Sequence, residues 1–165
     1  MNLQFYFEKL NVSEDFKKFK KENPDAFLCS GFFVIDKVGT DNQQHFDFYV
    51  PSSNEIYSFK GENNGEKIPS ERTEQKIPEK VSINYLITFE EVEKIIQDRM
   101  LKEKINSKIQ KILLSLQKLN GKDFFVGTVF VSMLGMVKIH LDLVKKEIVL
   151  FEKKSFFDIV NVLKK

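Results

Sequence analysis

His45-Phe46-Asp47-Phe48-Tyr49-Val50-Pro51-Ser52-Ser53-Asn54-Glu55-Ile56-Tyr57-Ser58-Phe59 is the stretch on which the fold turns. Polar and apolar side chains alternate up to Val50 and again from Glu55. Between them lie four residues of turn character. A period of two means an extended strand with one face inward, so the pattern predicts an antiparallel hairpin. Phe46 and Phe48 then point into a core, and His45 and Asp47 share the other face. Just upstream, Ala26 to Ile35 is almost continuously apolar, and rich in β-branched and aromatic residues. It reads as a central strand. Gly39-Thr40-Asp41-Asn42 supplies the turn between the two, giving a three-stranded antiparallel meander.

Working outward, Ser13 precedes Glu14 and Asp15, an N-cap followed by acids at the positive end of a helix. That helix carries Phe16 and Phe19 and stops before Asn23-Pro24. Leu3, Phe5 and Phe7 alternate with polar partners and predict a first strand. Beyond the hairpin, residues 61–80 mix charge with Gly and Pro and read as a linker or long loop. Order then restarts. Val81, Ile83 and Tyr85 predict a strand. Thr88 and Glu91 form a capping box. Stripes at Phe89, Val92, Ile95, Ile96 and then Ile105, Ile109, Ile112, Leu116, Leu119 predict one long helix, with a phase change near Leu101 to Lys104, ended by Asn120-Gly121. Strands follow at Phe124 to Ser132, Met136 to Val144 and Glu147 to Glu152. Ser155 and Asp158 open a short helix over Phe156 to Leu163.

The two halves can be laid on one another: Phe27 on Phe124, Phe33 on Phe130, Phe16 and Phe19 on Leu113 and Leu116, and His45-Phe46-Asp47-Phe48 on His140-Leu141-Asp142-Leu143. The expected fold is therefore α+β: two β-α-β-β-β repeats, antiparallel sheets with helices on one face, and one long central helix. Residues 1–60 hold the first repeat, 61–80 the linker, and 81–165 the second repeat with the long helix and a C-terminal helix.

Both hairpins, at His45 to Phe59 and at Ile139 to Phe151, resemble the signature hairpin of PepSY-type domains. In that family an Asp-bearing strand turns through a polar loop into Glu-Ile or Glu-Val. The resemblance covers part of each half. It implies a cystatin-like build, with helix laid on sheet, and a role in restraining peptidases.

Composition narrows the functional classes. The chain of 165 residues holds 26 basic and 24 acidic residues, a net charge of +2, and only two arginines, Arg72 and Arg99. Readers of phosphate and guanine rely on the guanidinium fork, so a nucleic-acid partner is not expected. No apolar run reaches membrane-spanning length and no signal-peptide pattern opens the chain. The expectation is a cytoplasmic protein without a membrane partner. Seventeen Phe, four Tyr and no Trp point to rings used for packing. The lone Cys29 lies in an apolar run and reads as a buried small residue. Glu90, Glu91 and Asp98 read as cap and solvent face; Met133 and Met136 read as gap-fillers. His45 with Asp47, and His140 with Asp142, are the metal-ligating candidates, should the two halves bring them together. No catalytic residues and no cofactor are expected. The leading expectation is a non-enzymatic binding module for a protein or peptide, compatible with a homodimer. The alternative is a small-ligand-binding protein or enzyme with a pocket between sheet and helix.

Overall fold

The structure is a computed structural model and describes residues 1–61, 67–69, 76–133 and 135–155. The protein is α+β. Its strands form a single antiparallel sheet in the order β4-β3-β2-β1-β5-β6-β7-β8. The strands are β1 (Phe27–Asp36), β2 (Gln43–Val50), β3 (Glu55–Lys60), the three-residue β4 (Lys67–Pro69), β5 (Ile109–Leu119), β6 (Lys122–Val131), β7 (Gly135–Asp142) and β8 (Glu147–Ser155). Helices α1 (Leu3–Asn11), α2 (Glu14–Glu22) and α3 (Phe89–Lys102) supply the rest. Each half runs from helix into a meander, and the two meanders join where β1 pairs antiparallel with β5.

Alternation builds the core. Along β6, Phe125, Val129 and Val131 are buried while Phe124, Val126 and Phe130 are only half-buried. Ile112, Leu114 and Leu116 do the same along β5. The inward residues meet Leu3, Tyr6 and Leu10 of α1, Phe16 and Phe19 of α2, and Val92, Ile96 and Met100 of α3 in one continuous core. All three helices therefore lie on the same face of the sheet. Gly127 permits the close approach there, since a Cβ at that position would stand 2.9 Å from the Leu114 side chain and 3.0 Å from the Leu113 carbonyl oxygen. Arg99 ties α3 to the far edge: its guanidinium donates to the Ile148 carbonyl oxygen and lies over the Phe151 ring.

Four features depart from the sequence expectation. Leu3 to Glu8 is helix, not strand. Leu3, Tyr6 and Leu10 stack on one helical face, and the Asn2 side chain caps the start by accepting from the Phe5 amide at 2.9 Å. The long central helix is absent. α3 ends at Lys102, Lys104 takes a positive φ of 57°, and residues 109–119 become β5, a central strand of the sheet. Val81 to Tyr85 has no regular structure, and the Tyr85 amide turns back onto the Ile83 carbonyl oxygen at 2.8 Å. The β-α-β-β-β unit therefore does not occur, and the expected overlay of Phe16 and Phe19 on Leu113 and Leu116 sets a helix against a strand. The predicted linker contributes β4 to the sheet edge. The expected helix over Phe156 to Leu163 lies outside the described residues. The caps at Ser13 and Thr88, and strands β1 to β3 and β6 to β8, lie where the sequence places them.

Candidate functional site: the outer face of the sheet

The helices cover one face; the other carries apolar side chains among its polar ones. Strand register places its residues in cross-strand rows. One row runs Lys60, His45, Phe32, Ser115, Val126, His140, Leu150. The next runs Gln43, Val34, Leu113, Thr128, Lys138, Glu152. Phe130 stands between Lys111 and Met136 in a third. Phe32, Leu113, Phe124, Val126 and Phe130 are half-buried, Val34 is buried, and none belongs to the core beneath the helices. Over β1, β5 and β6 these apolar side chains stand among Lys111, Ser115 and Thr128, and Lys60, His45, Lys138, His140 and Glu152 lie on the flanks.

The sequence-predicted site residues all map near this face, but not as one cluster. His45 on β2 and His140 on β7 occupy the same row, yet four strand spacings separate them, roughly 19 Å. They flank the apolar centre instead of meeting in it. The His45 ring packs on Phe32 with centroids 5.1 Å apart. Burial lowers its pKa, with Asp47 opposing and Lys60 assisting. Burial likewise lowers His140, helped by Lys138 against Glu152. Both imidazoles are thus neutral at neutral pH and compatible with an apolar neighbour. Asp142 is structural: its carboxylate accepts from the Val144 and Lys145 amides, each at 2.9 Å, and closes the β7–β8 turn.

Asp47 sits between two serines. Ser30 donates to it from β1 and Ser58 from β3. Ser, His and Asp therefore share a patch, but both serine protons go to the carboxylate directly. A nucleophile needs the imidazole as its base, with the carboxylate behind it, so this hydrogen-bond order is not that of a catalytic triad. Among the described residues no three His, Cys, Asp or Glu side chains gather closely enough to hold a metal ion. Glu91 completes the α3 capping box, and Glu90 binds the N-terminal amine of Met1. Met133 is exposed beyond β6.

Cys29 is buried, and its thiol donates toward the Asp47 carbonyl oxygen at 3.4 Å. Burial, with the Asp47 charge adding to it, pushes the thiol pKa up to about 12. A thiolate is therefore scarce near neutrality. In native protein at about pH 8, a disulfide-exchange reagent is expected to label Cys29 only as fast as the protein unfolds. Labelling at the rate of a free cysteine peptide would show that the thiol is accessible.

The features that define this protein as a class are one antiparallel sheet, helices on one side only, and an outer face with apolar side chains among its polar ones. No family model matches the chain, and no curated protein sequence does. Among solved structures, the crystal structure of a candidate lipoprotein from Clostridium difficile 630 superimposes with a TM-score of 0.57 at 17% identity, covering 86% of this chain and 91% of that one. At that identity the likeness is one of fold. No described helix is long and apolar enough to cross a membrane.

Proposed function

We propose that the protein is a non-enzymatic binding module for a protein partner, and that the outer face of its sheet is the surface the partner covers. The observation behind this is the patch of Phe32, Leu113, Val126 and Phe130, spread over three neighbouring rows, which the core does not use and which polar residues border on both sides. Apolar centre and polar rim is the usual anatomy of a protein–protein interface. The centre lies across interior strands, so the fitting partner presents a folded surface of matching character. An added β-strand would need a free edge, and the β8 edge carries the exposed charges Glu152, Lys153 and Lys154. The strand order is symmetrical about the β1–β5 pairing, whereas the overlay of the two halves sets β1 on β6, β2 on β7 and β3 on β8, one strand out of step with that symmetry.

Leu113→Asp puts a charge at the centre of the face without touching the core. It is expected to weaken partner binding by about a hundredfold or more, since a buried unpaired charge costs several kcal/mol. The measurement compares affinity capture by wild type, by Leu113→Asp and by Lys80→Glu, a substitution remote from the face. A stoichiometric partner lost only with Leu113→Asp supports the reading. A partner held equally by all three removes it. Sedimentation of the pure protein tests whether the partner is a second copy.

A further inference from the structure

The two central strands do not stay together. Pairing of β1 with β5 runs from Asp36 and Lys111 to Gly31 and Leu116, although β1 begins at Phe27 and β5 continues to Leu119. Beyond Gly31 the strands part, and the chain from Lys80 to Asn84 passes beside the opening. The Val81 amide donates to the Leu28 carbonyl oxygen at 3.0 Å, and the Ser82 amide donates to Asp123 Oδ2 at 3.0 Å. A cavity of about 710 Å3 lies between this stretch, the first two helices and the start of β1.

The cavity has two kinds of wall. Phe7, Phe16, Leu28 and Phe48 form an apolar one. Lys20, Lys80 and Lys118 line it as well, and among the described residues no carboxylate does. Asp123 stands behind Lys118, 3.3 Å from its ammonium, and offsets one of the three charges. Lys20 donates to the Ala26 carbonyl oxygen at 2.8 Å, a partner that carries no opposing charge. Among the described residues the walls therefore carry a net positive charge beside an aromatic surface.

We propose that this cleft binds an amphipathic anion: a molecule whose hydrocarbon part lies on the phenylalanines and whose carboxylate or phosphate head lies among the lysines. The volume falls within the range of small-ligand sites, and a few polar groups beside an apolar wall is their common composition. An extended peptide is the poorer fit, because the Leu28 carbonyl that would pair with it is already taken by Val81. The site is separate from the outer face and does not depend on the partner proposed for it.

The test uses the full chain, with dodecanoate as anionic probe and dodecyltrimethylammonium as its cationic counterpart. Calorimetry reads affinity and amide chemical shifts read position. Dodecanoate is expected to shift Ser82, Asn84 and Lys118 and to bind at least about tenfold tighter than the cation. Lys80→Glu, an exposed position, is expected to weaken dodecanoate by about tenfold and leave the cation no weaker. Dodecyl phosphate in place of dodecanoate tells a carboxylate head from a phosphate one; tighter binding of either supports the site. Equal binding of both signs of probe overturns the proposal, as do shifts confined to Leu113, Val126 and Phe130 on the outer face. Binding of an acidic octapeptide where dodecanoate fails also overturns it, in favour of a peptide.

Discussion

Phe33→Ala is expected to destabilise the protein by about 3–5 kcal/mol, the usual range for deleting a fully buried ring. Phe33 is 1% exposed and stands where the two halves meet. Its ring centroid lies 5.7 Å from Phe46 in the first meander, 5.1 Å from Phe89 on α3 and 5.9 Å from Phe125 in the second. Few single side chains touch both sides in this way. Phe46 and Phe59 instead pack against rings of their own half, under α1 and α2. For a domain of this size the loss corresponds to a fall of roughly 10 °C in the melting temperature. Thermal and denaturant unfolding of the variant would check both figures. A loss below about 1 kcal/mol would mean that the neighbouring rings close the hole, and that the seam is softer than its packing implies.

The second large effect is expected at Asp123, the first inward residue of β6. It is 5% exposed. Its Oδ2 accepts from the Ser82 amide at 3.0 Å and from the Tyr85 hydroxyl at 2.5 Å. The Lys118 ammonium approaches Oδ1 at 3.3 Å without directing a hydrogen bond at it. This carboxylate fastens the irregular 82–85 stretch to the sheet. Burial, then the hydrogen bond to Asp123, raises the Tyr85 pKa well above its ordinary value, so Tyr85 stays a donor throughout the working pH range. Asp123→Ala removes two charge-assisted hydrogen bonds and leaves their donors behind, at an expected cost of about 3 kcal/mol. Asp123→Asn keeps an acceptor and is expected to lose about half of that. Denaturant titration gives the energies, and amide exchange at Ser82 reports the local release. Unchanged exchange at Ser82 in the alanine variant would show that something else holds the stretch.

Where the sequence misleads, the reason is a tie between two periods. Leu3, Phe5 and Phe7 repeat every two residues, while Leu3, Tyr6 and Leu10 repeat as a helix does. Tyr6 decides the matter, and its hydroxyl makes it readable either way. Ile105, Ile109, Ile112, Leu116 and Leu119 suit a helix, yet Ile112, Leu114 and Leu116 suit a strand equally. The deciding signal is Asn120-Gly121. With φ of 50° and 77° these residues form the tight turn of the β5–β6 hairpin, where Leu119 pairs with Lys122. Asn-Gly between apolar alternations favours such a hairpin more strongly than it favours a helix end. The meander strands β1 to β3 and β6 to β8 carry no such ambiguity, and neither do the Ser13 and Thr88 caps.

The outer face is harder to read for a different reason. Each strand announces which residues alternate, so His45 with Asp47, or Phe124 with Val126, can be placed on a common side. Nothing local states that β1 neighbours β5. That adjacency alone puts Phe32, Leu113 and Val126 into one patch and parts His45 from His140. The cleft is further still from view. It exists because β1 and β5 diverge beyond Gly31, and because a stretch without regular structure enters beside them.

The β1–β5 seam also bears on how the chain finds its structure. Every other pairing in the sheet joins strands adjacent in sequence, with at most six residues between them, and closes at little entropic cost. β1 with β5 is the exception, for all of β2, β3, β4 and α3 lie between them in the chain. Its loop must close before any contact across it gives a return, so this pairing raises the contact order and sets the pace of folding. Two independently zipped meanders that dock last is the sequence of events this topology favours.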